Sequence, residues 1–582
     1  MIFLSILVFI AFLILPLSVF FQVFLKKKIG IKSVLLMGIS SSFLIATFFS
    51  SGLPLEEISW VFEWFSLGSL TLHWGGSLQG PALTFIKVSS WIFVFLKALE
   101  LRGSPDEDKW RLFIYFDLFL FFFFIAISST HFISLFLGWE IMGAVTYLLL
   151  SFSYEDSLSN QASFMALLFD KIGSVFLVLG GGVLLFSQGD KPFFAFNLLV
   201  ESERFVGVLF FAAVCCKTFQ LGVNTWTLRV EKIPTLPLSI VANFFCGIPA
   251  FLFLWKIDLF QIEFLKAVAL CVGAGTFFLA VGMLFVESFF KKILSYVTIA
   301  HWGVVLILAG SGFYKTPFVY MLVLSMAMTL LFCVENTLSL RQKEAFSFLR
   351  LSNPDSSFVM LFLVAGGGIL MSIFSFLIMG IALSGSAAGP LFLLIQSSLF
   401  LFSVALCKPV FLLATSLKKK EEEGGGVFLK TSIFLALGLI GSIVGAFYFW
   451  IPIVSKYSFS WATIPSFAMG IGSLVSFLIY FIFPGSQLFF SKKLVPVVQF
   501  FTKQAYMEKV LDFLVSGFKF ISVFLSQKVD GFLIEKKTFT GSISFLKNAN
   551  NAVDWFQGRN LSFYLLFLFS GCLFFISLFV LK

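Results

Sequence analysis

Long apolar runs separated by short polar stretches dominate the chain. About sixteen of them reach the ~20 residues that a helix needs to cross a bilayer. They cover roughly 2–24, 33–49, 81–100, 112–127, 129–151, 162–187, 205–224, 237–255, 265–287, 293–312, 317–338, 357–383, 390–415, 428–452, 464–483 and 561–581, the third and fourth with indistinct starts. The first run is of full length and no cleavage pattern follows it, so it reads as the first helix and not as a presequence. Residues 491–560 follow a different pattern. Val510, Leu514, Phe518, Ile521, Leu525 and Phe532 recur at three- and four-residue steps, while Lys509, Asp512, Ser516, Lys519, Ser526 and Asp530 take the opposite face. That periodicity predicts a long amphipathic helix lying on a membrane surface. Fifty helical residues reach about 75 Å, more than one subunit needs to cover itself.

Composition agrees. The 582 residues are 59% hydrophobic and 12% charged, and the mean hydropathy is +1.02. A soluble domain cannot bury so much apolar surface, so the chain is a polytopic membrane protein. The 86 Phe reflect T-rich codons and carry no functional signal. The formal charge of +10 follows from topology, not from nucleic-acid binding. Lys and Arg gather in alternate loops: Lys26, Lys27, Lys28 and Lys32; Arg229 and Lys232; Lys291 and Lys292; Arg341, Lys343 and Arg350; Lys418, Lys419, Lys420 and Lys430. Segment 50–80 carries Glu56, Glu57 and Glu63 and no base. The positive-inside rule puts the basic loops on the inner side and the N-terminus outside, and a count of sixteen spans puts the C-terminus outside as well.

No redox or metal chemistry is encoded. Seven Cys occur without a CxxC, and the adjacent Cys215 and Cys216 cannot frame a cluster. His73, His131 and His301 lie far apart in the chain. No Gly-rich nucleotide fingerprint is present, and no strand pattern supports one.

The candidate chemistry is a set of charges inside apolar runs. Glu140 sits in Phe-Leu-Gly-Trp-Glu-Ile-Met-Gly and Lys217 in Val-Cys-Cys-Lys-Thr-Phe-Gln. A bare charge at bilayer depth costs several kcal/mol, so such residues face a protein interior or a wet cavity and mark ion or proton routes. A static ion pair, or snorkelling to an interface, is the plainer alternative. Asp170 and Lys171, side by side early in the sixth run, either pair at its mouth or serve transport. His301 is a packing residue or a proton relay. Glu335 is a relay or an end-of-helix charge. Lys408 precedes Pro409 and either satisfies the carbonyl that Pro frees or carries protons. Gly366-Gly367-Gly368 permits helix unwinding or close helix packing.

Several short motifs, in order, resemble subunit 5 of respiratory complex I, the proton-pumping NADH:ubiquinone oxidoreductase, and more distantly the large Mrp-type antiporter subunits. They are Gly138-Trp139-Glu140 with Gly143 and Thr146-Tyr147-Leu148-Leu149; Lys217-Thr218-Phe219-Gln220 with Thr225-Trp226; Pro234-Thr235 and Pro237-Leu238-Ser239; and Lys291-Lys292-Ile293 with Ser295-Tyr296-Val297-Thr298. In the tail, Tyr506, Asp512, Val529-Asp530, Leu533-Ile534, Gln557-Gly558 and Tyr564 are similar to the lateral helix and final anchor of that subunit. The resemblance covers nearly the whole chain.

The resemblance implies an all-α fold of about sixteen transmembrane helices with two inverted five-helix repeats, each with a broken helix. The implied divisions are N-terminal helices 1–111, a first repeat 112–255, a second repeat 256–427, further helices 428–490, the lateral helix 491–560 and an anchor 561–582. It also implies proton translocation coupled to electron transfer from NADH to quinone. Glu140 and Lys217 match the pair that gates proton loading: a nearby carboxylate holds a Lys charged, and losing it favours release of the proton. NADH, FMN, iron–sulfur clusters and ubiquinone belong to partner subunits. Antiporter-like siblings along the lateral helix and membrane lipid are the other partners. The implied location is the mitochondrial inner membrane, with a bacterial plasma membrane as the alternative.

Some positions depart from the family pattern. Asn-Arg-Ile-Gly-Asp becomes Asp170-Lys171-Ile172-Gly173-Ser174, the eighth-span His becomes Asn243, and the central Lys of the eleventh span becomes Met328. No Lys stands near Ser375-Phe376-Leu377. Either His301, Glu335, Lys408 and water carry the inner half of the path, or that half is silent and the subunit braces the membrane arm. A cation/proton antiporter subunit without redox coupling is a further alternative.

Overall fold

The structure, a computed structural model, describes residues 2–342 apart from 30, 52–57, 68–69, 102–108, 197, 199–203, 221–224, 288 and 313–315. Of the remainder it describes Lys509, Ser516, Gly517, Phe520, Ser522, Val523 and Phe524, all helical. The chain divides into two compact units, Met1–Ala505 and Tyr506–Lys582. The runs read from the sequence beyond 342, with Gly366-Gly367-Gly368 and Lys408, lie outside the described residues, as does most of the lateral helix and the anchor.

The apolar runs become helices because a continuous apolar segment can satisfy its backbone in a membrane only within itself. They are α1 (Ile2–Ile29), α2 (Ile31–Ser50), α3 (Pro81–Glu100), α4 (Lys109–Ser128), α5 (Phe132–Leu150), α6 (Ser157–Gln188), α7 (Arg204–Lys217), α8 (Thr235–Val241), α9 (Ile248–Lys256), α10 (Glu263–Val286), α11 (Phe290–Gly310) and α12 (Thr316–Gln342). Among the described residues, seven helices are long and apolar enough to cross a membrane. Among the described helices long enough to cross a membrane, α11 is the most buried, with every residue from Phe290 to Gly310 buried. It lies backbone to backbone on α10: a Cβ on Gly303 would come 2.6 Å from the carbonyl oxygen of Gly273. Small residues at such crossings let helices gain dispersion contacts where lipid removes the hydrophobic drive.

Three sequence expectations need correction. The fold is not purely α: Ser59–Leu67 (β1) and Leu70–Ser77 (β2) form an antiparallel hairpin with a bulge between Glu63 and Phe65. Its strands carry three Trp and two Phe, with Gly68-Ser69 between them, which is a hairpin composition too short to stand out beside the apolar runs. A bridge from Gly76 to Ser129 ties it to the α4–α5 turn. Second, the eighth run is not one helix but α8 and α9, separated by a 3₁₀ turn at Phe244–Cys246. Third, the seventh run stops at Lys217. Phe219 adopts a left-handed φ of 55°, and the Gln220 N–H donates to the Cys215 carbonyl at 3.0 Å. This is the closing turn that usually uses Gly. A bulky residue there carries strain of about 1–3 kcal/mol, held by packing of the Phe219 ring against Trp226, 5.1 Å between centroids.

Candidate functional site

Four charges from α5, α6 and α7 meet between these helices, reaching from a half-exposed Lys171 to a buried Lys217. Asp156 caps α6 by accepting from the N–H groups of Leu158 and Ser159 at 2.8 and 3.3 Å. The helix therefore starts earlier than its apolar run, and Asp170 and Lys171 fall near its middle and not at its mouth. Neighbours on a helix point about 100° apart, so the two residues face different elements. Lys171 pairs with Glu140 of α5. Asp170 pairs with Lys217 at the end of α7. Lys171 Nζ lies 3.9 Å from Asp170 Oδ2, which joins the two pairs.

Glu140 and Lys217 are thus linked through Asp170 and Lys171 and not to each other. The order is Glu140, Lys171, Asp170, Lys217, acid and base alternating. Exposure is greatest at Lys171, whose side chain is 44% exposed, and falls from there to Lys217 at 4%. Lys217 Nζ also donates to the Trp139 carbonyl at 3.1 Å and sits 4.9 Å from the centre of the Trp139 ring. A cation at the C-terminal end of α7 is further favoured by the helix dipole. Glu140 Oε1 and Asp170 Oδ2 are buried without a hydrogen bond, so each carboxylate has an oxygen free to take a proton.

Gly143, one turn beyond Glu140, makes room for the arrangement. A Cβ there would lie 2.0 Å from Asp170 Oδ2. Thr146 Oγ1, farther along α5, is 3.5 Å from Cys246 Sγ in the α8–α9 break. From the same break, Asn243 Nδ2 donates to the Ser325 carbonyl at 3.1 Å and to Thr329 Oγ1 at 3.0 Å on α12.

The other candidates lie apart from the four charges. His301, 2% exposed, shares a 2.5 Å hydrogen bond with the Tyr320 hydroxyl. Glu335, wholly buried on α12, accepts from the Thr235 hydroxyl. Two histidines distant in sequence come together: the rings of His73 and His131 are 5.6 Å apart, with Asp190 Oδ2 3.1 Å from His73 Nδ1. His131 lies in the α4–α5 turn, and burial pushes its imidazole below the usual range; Asp190 opposes this and His73 adds to it. Among the described residues no group of three His, Cys, Asp or Glu could hold a metal.

One buried ion pair went unread in the sequence. Lys97 of α3 and Asp117 of α4 pair with neither side chain exposed. Lys97 Nζ also donates to the Gly38 carbonyl at 2.9 Å and to Ser42 Oγ at 2.7 Å. Gln22 Nε2 and Ser18 Oγ donate to Asp117 Oδ2 at 2.9 and 3.2 Å. A Lys and an Asp within the third and fourth apolar runs were the available signal.

Residues 129–419, half of the chain, match the family described as "NADH:quinone oxidoreductase/Mrp antiporter, TM". The chain belongs to this family. Glu140, Asp170, Lys171 and Lys217 all lie within the matched residues. The chain is 27% identical to NADH-ubiquinone oxidoreductase chain 5 of Trichophyton rubrum, over 50% of its own length and 47% of the relative's. It is 24% identical to NADH-quinone oxidoreductase subunit L of Buchnera aphidicola subsp. Schizaphis graminum, over 59% of this chain and 58% of that one. The aligned part thus spans about half the length of the curated relatives it matches. The family fold extends further: a solved Mrp complex from Dietzia sp. superposes with a TM-score of 0.67, covering 94% of this chain and 63% of that one at 14% identity. An archaeal membrane-bound sulfane sulfur reductase gives 0.61, covering 80% and 97% at 16% identity.

Proposed function

We propose that this chain is a core membrane-arm subunit of an NADH:ubiquinone oxidoreductase and moves protons across the membrane, driven by electron transfer in partner subunits. The alternating chain Glu140–Lys171–Asp170–Lys217 carries this reading. Four ionisable groups within a membrane bundle are costly to retain unless they are paired, and such sets mark proton routes. The curated relatives named as chain 5 and subunit L support the assignment to that complex.

The chemistry is a relay of partners. A proton arriving on Glu140 neutralises it and frees Lys171. The nearest acceptor for Lys171 is then Asp170 Oδ2, 3.9 Å away. A carboxylate shared by two ammonium groups holds each more weakly, and buried Lys217 becomes able to lose its proton. The N–H bond of Lys217 breaks, the proton leaves towards the far side, and the neutral amine remains until reloaded. Trp139, through its carbonyl and its ring, holds Nζ in place across the cycle.

The reading includes about sixteen transmembrane helices with two inverted five-helix repeats, the lateral helix and the anchor. It places antiporter-like siblings and lipid around the chain and NADH, FMN, iron–sulfur clusters and ubiquinone in other subunits. The mitochondrial inner membrane is the proposed site. The test is a native gel of solubilised membranes stained for NADH oxidation, followed by proton uptake into vesicles for Lys217→Met. Migration with the active band and a lower proton yield per NADH are expected. Migration in a smaller assembly without NADH oxidation would favour a cation/proton antiporter. An assembled Lys217→Met complex with full yield would leave the chain a bracing role.

A further inference from the structure

We infer that Glu335 is the protonatable group at the inner end of this path, where it reloads Lys217 from the compartment faced by the basic loops. This rests on the proton-translocating reading above. Glu335 is the only carboxylate in α12, and it is wholly buried. A wholly buried carboxylate just past the apolar stretch Pro317–Cys333 must be either permanently matched by a cation or periodically neutralised by a proton.

Its surroundings alternate acid and base as the central chain does. The Thr235 hydroxyl donates to Glu335 Oε2. Two residues before Thr235, the Ile233 carbonyl accepts from Lys291 Nζ at 2.9 Å, and the Glu231 carbonyl does so at 3.4 Å. The charges of Glu335 and Glu231 both act on that ammonium. Lys292 pairs with the Glu231 carboxylate and lies 3.7 Å from Glu287 Oε2. With Lys232, whose charge also acts on Lys291, three acids and three bases thus gather where the start of α11 and the segment before α8 meet α12. Lys291 and Lys292 belong to the basic stretches that mark the inner side. Glu231 and Glu287 are only partly buried, so the nest reaches from the surface to the interior.

A line of polar groups runs from this nest towards the four charges. Ser325 and Thr329 stand one turn apart on α12, and Thr329 is six residues, about 9 Å, from Glu335. Asn243 grips both from the α8–α9 break. Three residues on, Cys246 touches Thr146 of α5, the helix that carries Glu140. Hydroxyl and amide groups orient protons but do not store them, so the store on α12 is the Glu335 carboxyl. An O–H bond forms on Glu335 as a proton arrives from water. It breaks as the proton passes to the neutral amine of Lys217, regenerating carboxylate and ammonium with no change of oxidation state.

The test compares the intact complex carrying Glu335→Gln, Glu335→Asp or Lys217→Met, reading protons moved per NADH oxidised. The native complex is also treated with a membrane-soluble carbodiimide. This reagent adds to a protonated carboxyl to give an O-acylisourea, which rearranges to a stable N-acylurea detected on the Glu335 peptide by mass. Glu335→Gln is expected to fall to the level of Lys217→Met, Glu335→Asp to regain most of the yield, and Glu335 to take the label. Native yield in Glu335→Gln beside a reduced yield in Lys217→Met overturns this inference alone. Native yield in both overturns the proposed function itself. If Glu335→Gln does not assemble, labelling decides: a carboxylate permanently matched by Lys291 takes none, and that result overturns the inference.

Discussion

Replacing Lys97 by Met tests whether the N-terminal helices are clamped by the ion pair at their centre. All three protons of the Lys97 ammonium are used, on the Gly38 carbonyl, Ser42 Oγ and Asp117 Oδ1. The substitution removes all three of these charge-assisted bonds and strands Asp117 as a buried anion. Breaking a buried pair from one side costs about 3–5 kcal/mol. Ser18, Gln22 and Ser42 still donate to Asp117, at 3.2, 2.9 and 3.3 Å, which places the expected loss near the lower end, about 3 kcal/mol. The second arm is Lys97→Met with Asp117→Leu. Exchanging a whole buried pair for apolar groups is often neutral or stabilising, so the double variant should recover most of the loss. The assay is the thermal unfolding midpoint of the solubilised complex, together with the amount of chain assembled in membranes. A single variant as stable as the native protein refutes the clamp. A double variant as damaged as the single shows that the polar nest, and not the charge, joins the helices. Proton yield in the assembled double variant should be native, because the pair lies outside the proposed path.

Gly143→Ala drives a methyl group against Asp170 Oδ2, 2.0 Å from its ideal position. Overpacking of this kind costs about 1–3 kcal/mol, so the complex should assemble while proton yield falls as Asp170 loses Lys217; normal yield would show that Asp170 is not held by this contact. Gly303→Leu should separate α10 from α11, since the Cβ of residue 303 meets the Gly273 carbonyl at 2.6 Å, and should abolish assembly on a native gel. The buried imidazole of His131 is held below its usual range, so the unfolded chain binds its proton first as pH falls. Its contribution to stability is therefore full above about pH 6.5 and is lost as pH drops below that value. Proteolysis within Ser59–Ser77 should rise between pH 7.5 and pH 5.5, and His131→Gln should flatten that rise.

The membrane class, the helical content of the first eleven apolar runs and the presence of Glu140 and Lys217 as charges inside them could be read along the chain. Each depends on local composition: an apolar run must satisfy its own backbone in lipid, and a charge within it stands out against its neighbours. The hairpin at Ser59–Ser77 was hidden because its aromatic and β-branched residues blend into an apolar background. The break after Lys217 was hidden because a Phe, not a Gly, takes the left-handed turn there, whereas the break at Phe244–Cys246 had a signal in Gly247 and Pro249, which start the next helix. Partner choice was decided by tertiary structure alone. A sequence shows four charges but not that Asp170 and Lys171, adjacent in the chain, diverge to α7 and α5 and separate Glu140 from Lys217. The meeting of Lys97 with Asp117, of His73 with His131 and of Glu335 with Thr235 likewise depends on how the helices and the hairpin pack. Hydropathy reports what a segment excludes from water, whereas a pairing depends on directions set by helix rotation and crossing.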